Sequence, residues 1–302
     1  KEWNTELLNR VGLKESLFPK LVDAGTKIGP LKKELCEELG MGNKFITAVG
    51  GHDTASAVTA VQAQEDSFAY ISCGTWSLFG TELENPLINE KSMEMNITNE
   101  TGYGNNTRFL KNIIGLWMIQ ETRRAFKRAG KDYSYADMEA LARSAEAFKC
   151  FIDPDDARFA VPGNQIERIR EFCRETNQAV PETDGEVIRC IYESLAMKYK
   201  YTFEMLKECT GEDFKAIHMV GGGTKDNFLC SMTADFTNTE VIAGPIEATA
   251  AGNVAVQLIS MGEISDLKEA RKIIADSFDV VHYAPFGVDT EKEYERFLKI
   301  IR

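Results

Sequence analysis

The sequence predicts an α/β fold, on three observations. Short apolar runs such as KFITAV, DSFAYISC, KAIHMV and TEVIAG recur along the 302 residues. Stretches of helical periodicity separate them, so strand and helix alternate. Some of these runs end in glycine immediately before the next helical stretch. That arrangement places ligands at the carboxyl edge of a sheet.

Taken in order, residues 1–40 read as short helices with a break from Gly25 to Pro30. KFITAVGG (44–51) reads as a buried strand ending in glycines, and from Asp53 onward Ala55, Val58, Ala60 and Val61 recur at helical intervals. QAQED (62–66) is a polar gap and the expected domain seam. DSFAYISCGTWSLFGTEL (66–83) reads as two strands turning at Gly74-Thr75. MNITNE and TRFLKNI are further strands, and IGLWMIQETRRAFKRAG (114–130) is an amphipathic helix stopped by Gly130. Residues 131–182 are mostly helix and loop, and 185–211 form one long helix with a glycine stop. KAIHMVGGGTKDNFLCSMTADFTN is then a strand, a triple-glycine turn and a helix. TEVIAGP is a strand, and IEATAAGNVAVQLISMG (246–262) is a small-residue helix able to pack closely. The end reads as a strand, a Pro/Gly turn and a final helix.

Lys+Arg of 35 against Asp+Glu of 47 gives a net charge of -12. A non-specific nucleic-acid binder needs a basic face to displace counterions, so that class is disfavoured. One phosphate compound can still bind through local backbone dipoles. No apolar run is long enough to span a membrane, and a cytoplasmic setting is expected. The seven cysteines are scattered without a C-x-x-C pair, which argues against a structural zinc site and for reduced thiols. The chain opens on Lys1 rather than Met, so it is expected to begin in mid-protein.

Each candidate site residue has a plainer reading beside the functional one. Asp53 follows a glycine-rich strand-to-helix turn, where it faces a ligand or simply caps the helix, as Thr54 also can. Gly74 and Thr75 offer backbone N–H groups and a hydroxyl to a phosphate, or form an ordinary tight turn. Gly221, Gly222 and Gly223 let backbone approach a nucleotide, although the stretch is neither a Walker A loop nor G-x-G-x-x-G. EATAAGN (247–253) reads as packing. Asn112 and Gln120 read alone as exposed polar residues. His218 and His282 read as satisfied core histidines. Nothing groups Ser, His and Asp into a hydrolytic triad.

Together, in this order, GGHDTASA, ISCGTWSLFGTEL, RFLKNIIGLWMIQE, MVGGGTKDNFL and GPIEATAAGNVAVQL resemble the FGGY family of carbohydrate kinases, from about residue 40 to the end. The resemblance implies the two-lobed actin/hexokinase/Hsp70-type fold, each lobe built on a ribonuclease-H-like sheet. Residues 1–64 would be the tail of the first, sugar-binding lobe, and 65–302 the second, nucleotide-binding lobe. Nothing matches the acidic D-x-G-type phosphate hairpin with which a complete member begins, so the missing N-terminal lobe is an expected partner. Asp53 matches the catalytic base. His52 and Thr54 match sugar contacts, as does Asn112. Gln120 matches an ATP contact, Gly74 and Thr75 the second-lobe phosphate hairpin, and Gly221, Gly222 and Gly223 the adenosine turn with Asn227 beside it. ATP and Mg²⁺ are implied, with no metal ligands assigned. FLKNIIGLWMIQE after SCGTWSL points to L-rhamnulose, phosphorylated at its primary C1 hydroxyl. L-fuculose, L-xylulose or a polyol is the alternative, and a non-catalytic nucleotide-binding relative is a third reading. The resemblance also implies that Cys173 and Cys190 pair in some members, whereas a reducing compartment favours thiols.

Overall fold

The computed structural model describes residues 2–65 and 67–301. Lys1, Arg302 and Asp66, the end of the expected seam, lie outside the described residues.

The chain starts with α1 (Thr5–Arg10), β1 (Lys27–Pro30), α2 (Lys33–Glu38), β2 (Phe45–Thr47) and α3 (Asp53–Thr59). The expected break from Gly25 to Pro30 is in part a strand, because β1 pairs antiparallel with β2. That ribbon corrects a second expectation. KFITAV was expected to be buried, yet Phe45 is 67% and Ile46 44% exposed. A two-stranded ribbon with no layer packed over those side chains leaves apolar residues in solvent. Local apolarity set the strand but could not place it in a core.

A second sheet organises the rest. It comprises β3 (Ala69–Cys73), β4 (Trp76–Leu83), β5 (Thr98–Thr101), β6 (Thr107–Ile114), β7 (Ala216–Val220), β8 (Glu240–Ala243) and β9 (Val281–Tyr283). Their spatial order is β5-β6-β4-β3-β7-β8-β9. The β3–β4 hairpin and β6 and β5 beyond it are antiparallel. On the other side β3, β7 and β8 run parallel, and β9 closes the edge antiparallel. Between them lie α4 (Glu90–Glu94), α5 (Trp117–Arg128), α6 (Tyr135–Ser144), α7 (Gln165–Glu175), α8 (Asp184–Thr210), α9 (Asn227–Thr237), α10 (Ala248–Met261) and α11 (Leu267–Ser277), and α12 (Glu291–Leu298) follows β9. The short α4 and α11 were not anticipated. Asp266 caps α11 by accepting from the Glu269 N–H at 2.9 Å, a start signal the sequence carried.

The period-2 alternation of β3 splits the core into two layers. Ala69, Ile71 and Cys73 join one cluster with α8, whose Tyr199 and Phe203 rings pack on Phe79. Phe68 and Tyr70 point the other way, into a cluster with Val58 of α3, Ala255 of α10 and Ile274 of α11. Gly130, Gly211 and Gly262 take positive φ just beyond α5, α8 and α10, the left-handed ends that favour glycine.

The α3–α10 contact is close enough to require glycine. A Cβ on Gly252 would stand 1.8 Å from the Ser56 carbonyl oxygen and 3.2 Å from the Thr59 Cβ. Small residues in EATAAGN therefore let two helix backbones meet. Gly252→Ala is expected to cost about 1–3 kcal/mol through overpacking, read as a Tm lower by several degrees in thermal unfolding.

His218 is buried on the central strand β7, with Nε2 3.1 Å from Glu65 Oε1. His282 departs from expectation. β9 is an edge strand, and the ring is half exposed, with Nδ1 2.9 Å from Glu240 Oε1. Burial pushes the His218 pKa below the ordinary 6.5, partly opposed by Glu65. Below pH 6.5 the unfolded chain therefore binds a proton that the folded chain refuses. Stability is expected to fall as pH drops from 6.5 toward the native midpoint. Proton NMR should place that midpoint below 6.5, and His218→Gln should flatten this part of the pH profile.

Candidate active site

Parallel pairing of β3 with β7 brings their carboxyl ends out together, so the Gly74-Thr75 turn and the Gly221–Gly223 turn lie side by side. The glycines are needed for contact. A Cβ on Gly221 would come within 2.9 Å of the Cys73 carbonyl oxygen, and one on Gly223 within 2.2 Å of the Cys73 sulfur. Gly221 also takes φ +91° and donates its N–H to Pro245 O at 3.1 Å. The end of β8 is thereby drawn to the same edge. At Gly222 and Gly74 the reverse holds. A Cβ on Gly222 meets nothing within 4 Å, and on Gly74 only the Trp76 oxygen at 3.9 Å. A ligand can therefore approach both α-carbons closely, although the Gly74 N–H is already given to Trp76 O at 2.8 Å.

The Gly74-Thr75 turn is tied to the start of α5. Leu116 N–H donates to Gly74 O at 3.1 Å, and Trp117 N–H to Thr75 O at 3.0 Å. Under the turn, burial pushes the Cys73 thiol pKa up to about 11. It is a neutral thiol at neutral pH and sets no charge against an anion above it.

Two cavities adjoin at these turns. The first, of 690 Å³, is lined by His52, Asp53, Thr54, Gly74, Thr75, Asn112, Gly221 and Gly222, with Ile246 and Glu247 from beyond β8. The second, of 520 Å³, shares Gly74, Thr75 and Gly222 and adds Gln120, Gly223, Tyr135, Glu139, Tyr192, Lys225 and Asp226. The structure thus gathers every expected site residue but one along a continuous trough. The exception is Asn227, which lines neither cavity and accepts a 2.7 Å hydrogen bond from the Tyr283 hydroxyl.

Asp53 is the first residue of α3, not its cap. His52 takes the capping position in extended backbone and makes no side-chain capping bond. The Asp53 carboxylate is 74% exposed. Its Oδ1 accepts from the Thr54 N–H at 2.8 Å and lies 3.0 Å from His52 Nε2. The second oxygen is left for a ligand. Thr54 is buried, and α3 is held by α10, so the acid has a fixed base and a free tip.

Sequence reading missed much of the second cavity's wall. Asp226 caps α9 by accepting from the Leu229 N–H at 3.0 Å, and takes a 2.6 Å hydrogen bond from the Tyr192 hydroxyl. Burial raises its pKa. The capping role was legible in GGGTKDN; the approach of Tyr192 from α8 and Tyr135 and Glu139 from α6 was not. Glu247 had been read as packing, yet it lines the first cavity.

The geometry suits an anionic chain running from one cavity to the other. The Gly222 peptide, the open α-carbon of Gly74 and the Thr75 hydroxyl meet it at the junction. A larger body fits the second cavity, and an exposed carboxylate stands in the first. A nucleotide with its phosphates at the turns fits these residues.

The family model described as the FGGY family of carbohydrate kinases, C-terminal domain, matches residues 69–261. This chain belongs to the FGGY family. It is 43% identical to a rhamnulokinase of Enterococcus faecalis over 99% of this chain and 61% of the relative. It is 40% identical to one of Bacillus subtilis over 98% and 60%. The chain therefore spans about three fifths of the length of these relatives. Among solved structures, a ligand-bound xylulose kinase from Lactobacillus acidophilus matches with a TM-score of 0.72 at 17% identity, covering 99% of this chain and 58% of that one. Plasmodium falciparum glycerol kinase with ADP matches at 0.74 and 16%, over 99% and 58%. At such identities these two show the fold alone, the ribonuclease-H-like, actin-type FGGY kinase fold. No helix among the described residues is long and apolar enough to cross a membrane.

Proposed function

We propose that this FGGY chain takes part in phosphorylating L-rhamnulose at its C1 hydroxyl with ATP. The observation that carries the reading is the trough itself. It sets an exposed acid, Asp53, and Asn112 in one cavity, glycine turns at the junction and a body-sized pocket beyond. The sugar assignment rests on the rhamnulokinase relatives at 37–44% identity.

In this reading Asp53 accepts the proton of the sugar hydroxyl as that oxygen attacks the terminal phosphorus. His52, Thr54 and Asn112 orient the sugar. The Gly74-Thr75 turn and the Gly222 peptide hold the phosphates, and Gln120 and Gly223 face the nucleoside. Phosphoryl transfer asks for positioning and charge stabilisation more than covalent chemistry. Mg²⁺ would neutralise phosphate charge when bound, and Asp53 and Glu247 are the carboxylates of the first cavity nearest in kind to what it takes. ATP as the donor accords with a cytoplasmic setting.

We assign residues 1–64 to the end of a sugar lobe and 65–302 to the nucleotide lobe, with α3 of the first segment seated by its contacts on the second. Support comes from the first segment, where Leu7, Val11, Leu17, Ile28, Leu39 and Phe45 are all more than half exposed. An apolar set of this extent needs cover. The part of the relatives that this chain does not span is our candidate for it, and its closure would exclude water from the transfer.

The test is ADP release from MgATP by the chain joined to the N-terminal portion of a relative, offered L-rhamnulose, L-fuculose, L-xylulose or glycerol. Turnover is expected chiefly with L-rhamnulose. Asp53→Asn is expected to lower kcat by about 10²–10⁴-fold while ADP binding holds. Preference for another sugar would reassign the substrate. Nucleotide binding with no turnover on any sugar would favour a regulatory relative, and full activity in the variant would remove Asp53 from its role.

A further inference from the structure

Lys198 stands in the middle of α8 with only 4% of its side chain exposed. A lysine is almost never so buried unless it is paired. Its Nζ lies 2.9 Å from Asp153 Oδ1 and 3.0 Å from Asp155 Oδ2. The Asp155 N–H also donates to Asp153 Oδ1 at 3.1 Å. One cation thus fastens the segment between α6 and α7 to α8 through two carboxylates. Burial works against the charge on Lys198, but the two aspartates outweigh it and raise its pKa above the ordinary 10.5. None of the three residues lines either cavity.

The other oxygen of Asp155 leads back to the trough. β5 pairs with β6 only from Thr107 to Leu110, so among the described residues no strand covers the outer edge of the rest of β6. There Asp155 Oδ1 accepts from the Ile114 N–H at 3.2 Å. Ile114 ends β6, and the residues around it build the trough. Asn112 just before it lines the first cavity, and Leu116 just after it lines the second. The N–H groups of Leu116 and Trp117 are those that tie down Gly74 O and Thr75 O. Gly115, next to Ile114, passes so close to β4 that a Cβ there would stand 2.4 Å from Ser77 Oγ. Ser77 is itself held from α8, its Oγ 2.6 Å from the Tyr199 hydroxyl. Neighbouring residues of α8 therefore hold both strands beside the turn. Tyr199 holds β4 directly, and Lys198 holds the end of β6 through Asp155.

Taking the trough as a nucleotide site, the reading on which this rests, we propose that Asp155, held by Lys198, is a positioning residue: it fixes the end of β6 and, through it, the Gly74-Thr75 turn on which the phosphates rest. Asp155 touches no reacting group. It acts by ordering Asn112, Leu116 and the turn before a ligand arrives. A site ordered in advance spares the ligand that cost, and one whose supporting contacts are loose loses both affinity and rate. With the carboxylate removed, the Ile114 N–H is left to water, and Lys198 keeps one acid instead of two.

The test is ADP binding by calorimetry, with Mg²⁺ present, on the unaltered chain, Asp155→Ala and Glu193→Gln. Glu193 is a buried acid of α8 that pairs with Arg189 at 2.7 Å and accepts from the Phe148 N–H at 2.8 Å, and it lines neither cavity. Both variants break a buried ion pair and are expected to lower the Tm. Asp155→Ala alone is expected to weaken ADP binding, by about tenfold, with Glu193→Gln within about twofold of the unaltered chain. Amide hydrogen exchange over residues 112–117 is expected to quicken in Asp155→Ala and not in Glu193→Gln. On the unaltered chain, NMR should find the Ile114 amide slow to exchange although no strand covers it. Unchanged ADP binding in Asp155→Ala, binding that falls with Tm in both variants alike, or an Ile114 amide that exchanges as freely as an open loop would each overturn the proposal, the last even where no variant folds. No ADP binding by the unaltered chain would remove the nucleotide reading itself, and this role with it.

Discussion

The parallel pairing of β3 with β7 is the contact on which the rest of the molecule depends. It is where an antiparallel meander becomes a parallel sheet, so it is where two strands deliver their carboxyl ends to one edge with turns departing differently. One turn goes back along the sheet into β4, and the other goes forward into α9. Their closeness is set by Cys73, against which Gly221 and Gly223 have no room for a side chain. A bulkier residue at either glycine would part the two turns. The open faces of Gly74 and Gly222 would then no longer share one space.

Around that edge the charges are arranged sparingly. Cys73 is held neutral by burial, and Asp226 is pushed toward its neutral form and hydrogen-bonded by Tyr192. Asp53, by contrast, stands in solvent with one oxygen occupied. In a chain of net charge -12, the cation that lines these cavities is Lys225, beside the glycine turn whose backbone dipoles also suit an anion.

How far the sequence could be read follows the range of the interactions involved. The β3–β4 hairpin, α5, α8, the triple-glycine turn and α10 were legible because alternation, periodicity and glycine stops are local. Gly222 was legible as a candidate because it follows a strand and opens a helix, and Gly74 and Thr75 because they form the turn of a hairpin. The burial of β2 was misjudged because burial depends on what lies over a strand. His282 was misplaced because an edge strand and a central one read alike. Asn227 follows the right turn, but Tyr283 from β9 claims its side chain. The convergence of Cys150, Cys173 and Cys190, free thiols whose sulfurs all lie within 4.8 Å of one another, left no local pattern, since no two share a segment.

The seating of α3 has a mechanical consequence. Asp53 stands at the front of a helix whose buried side meets α10 backbone to backbone, and α10 begins just past the end of β8. The acid therefore belongs by its contacts to the frame that carries the two glycine turns, although in sequence it follows the β1–β2 ribbon. A swing of that ribbon about Ala48–Gly51 would carry Phe45 and Ile46 along an arc while the distance from Asp53 to Gly74 and Gly222 stayed the same. The Asp53 tip and the two glycine turns thus stand on one frame, whatever the ribbon does.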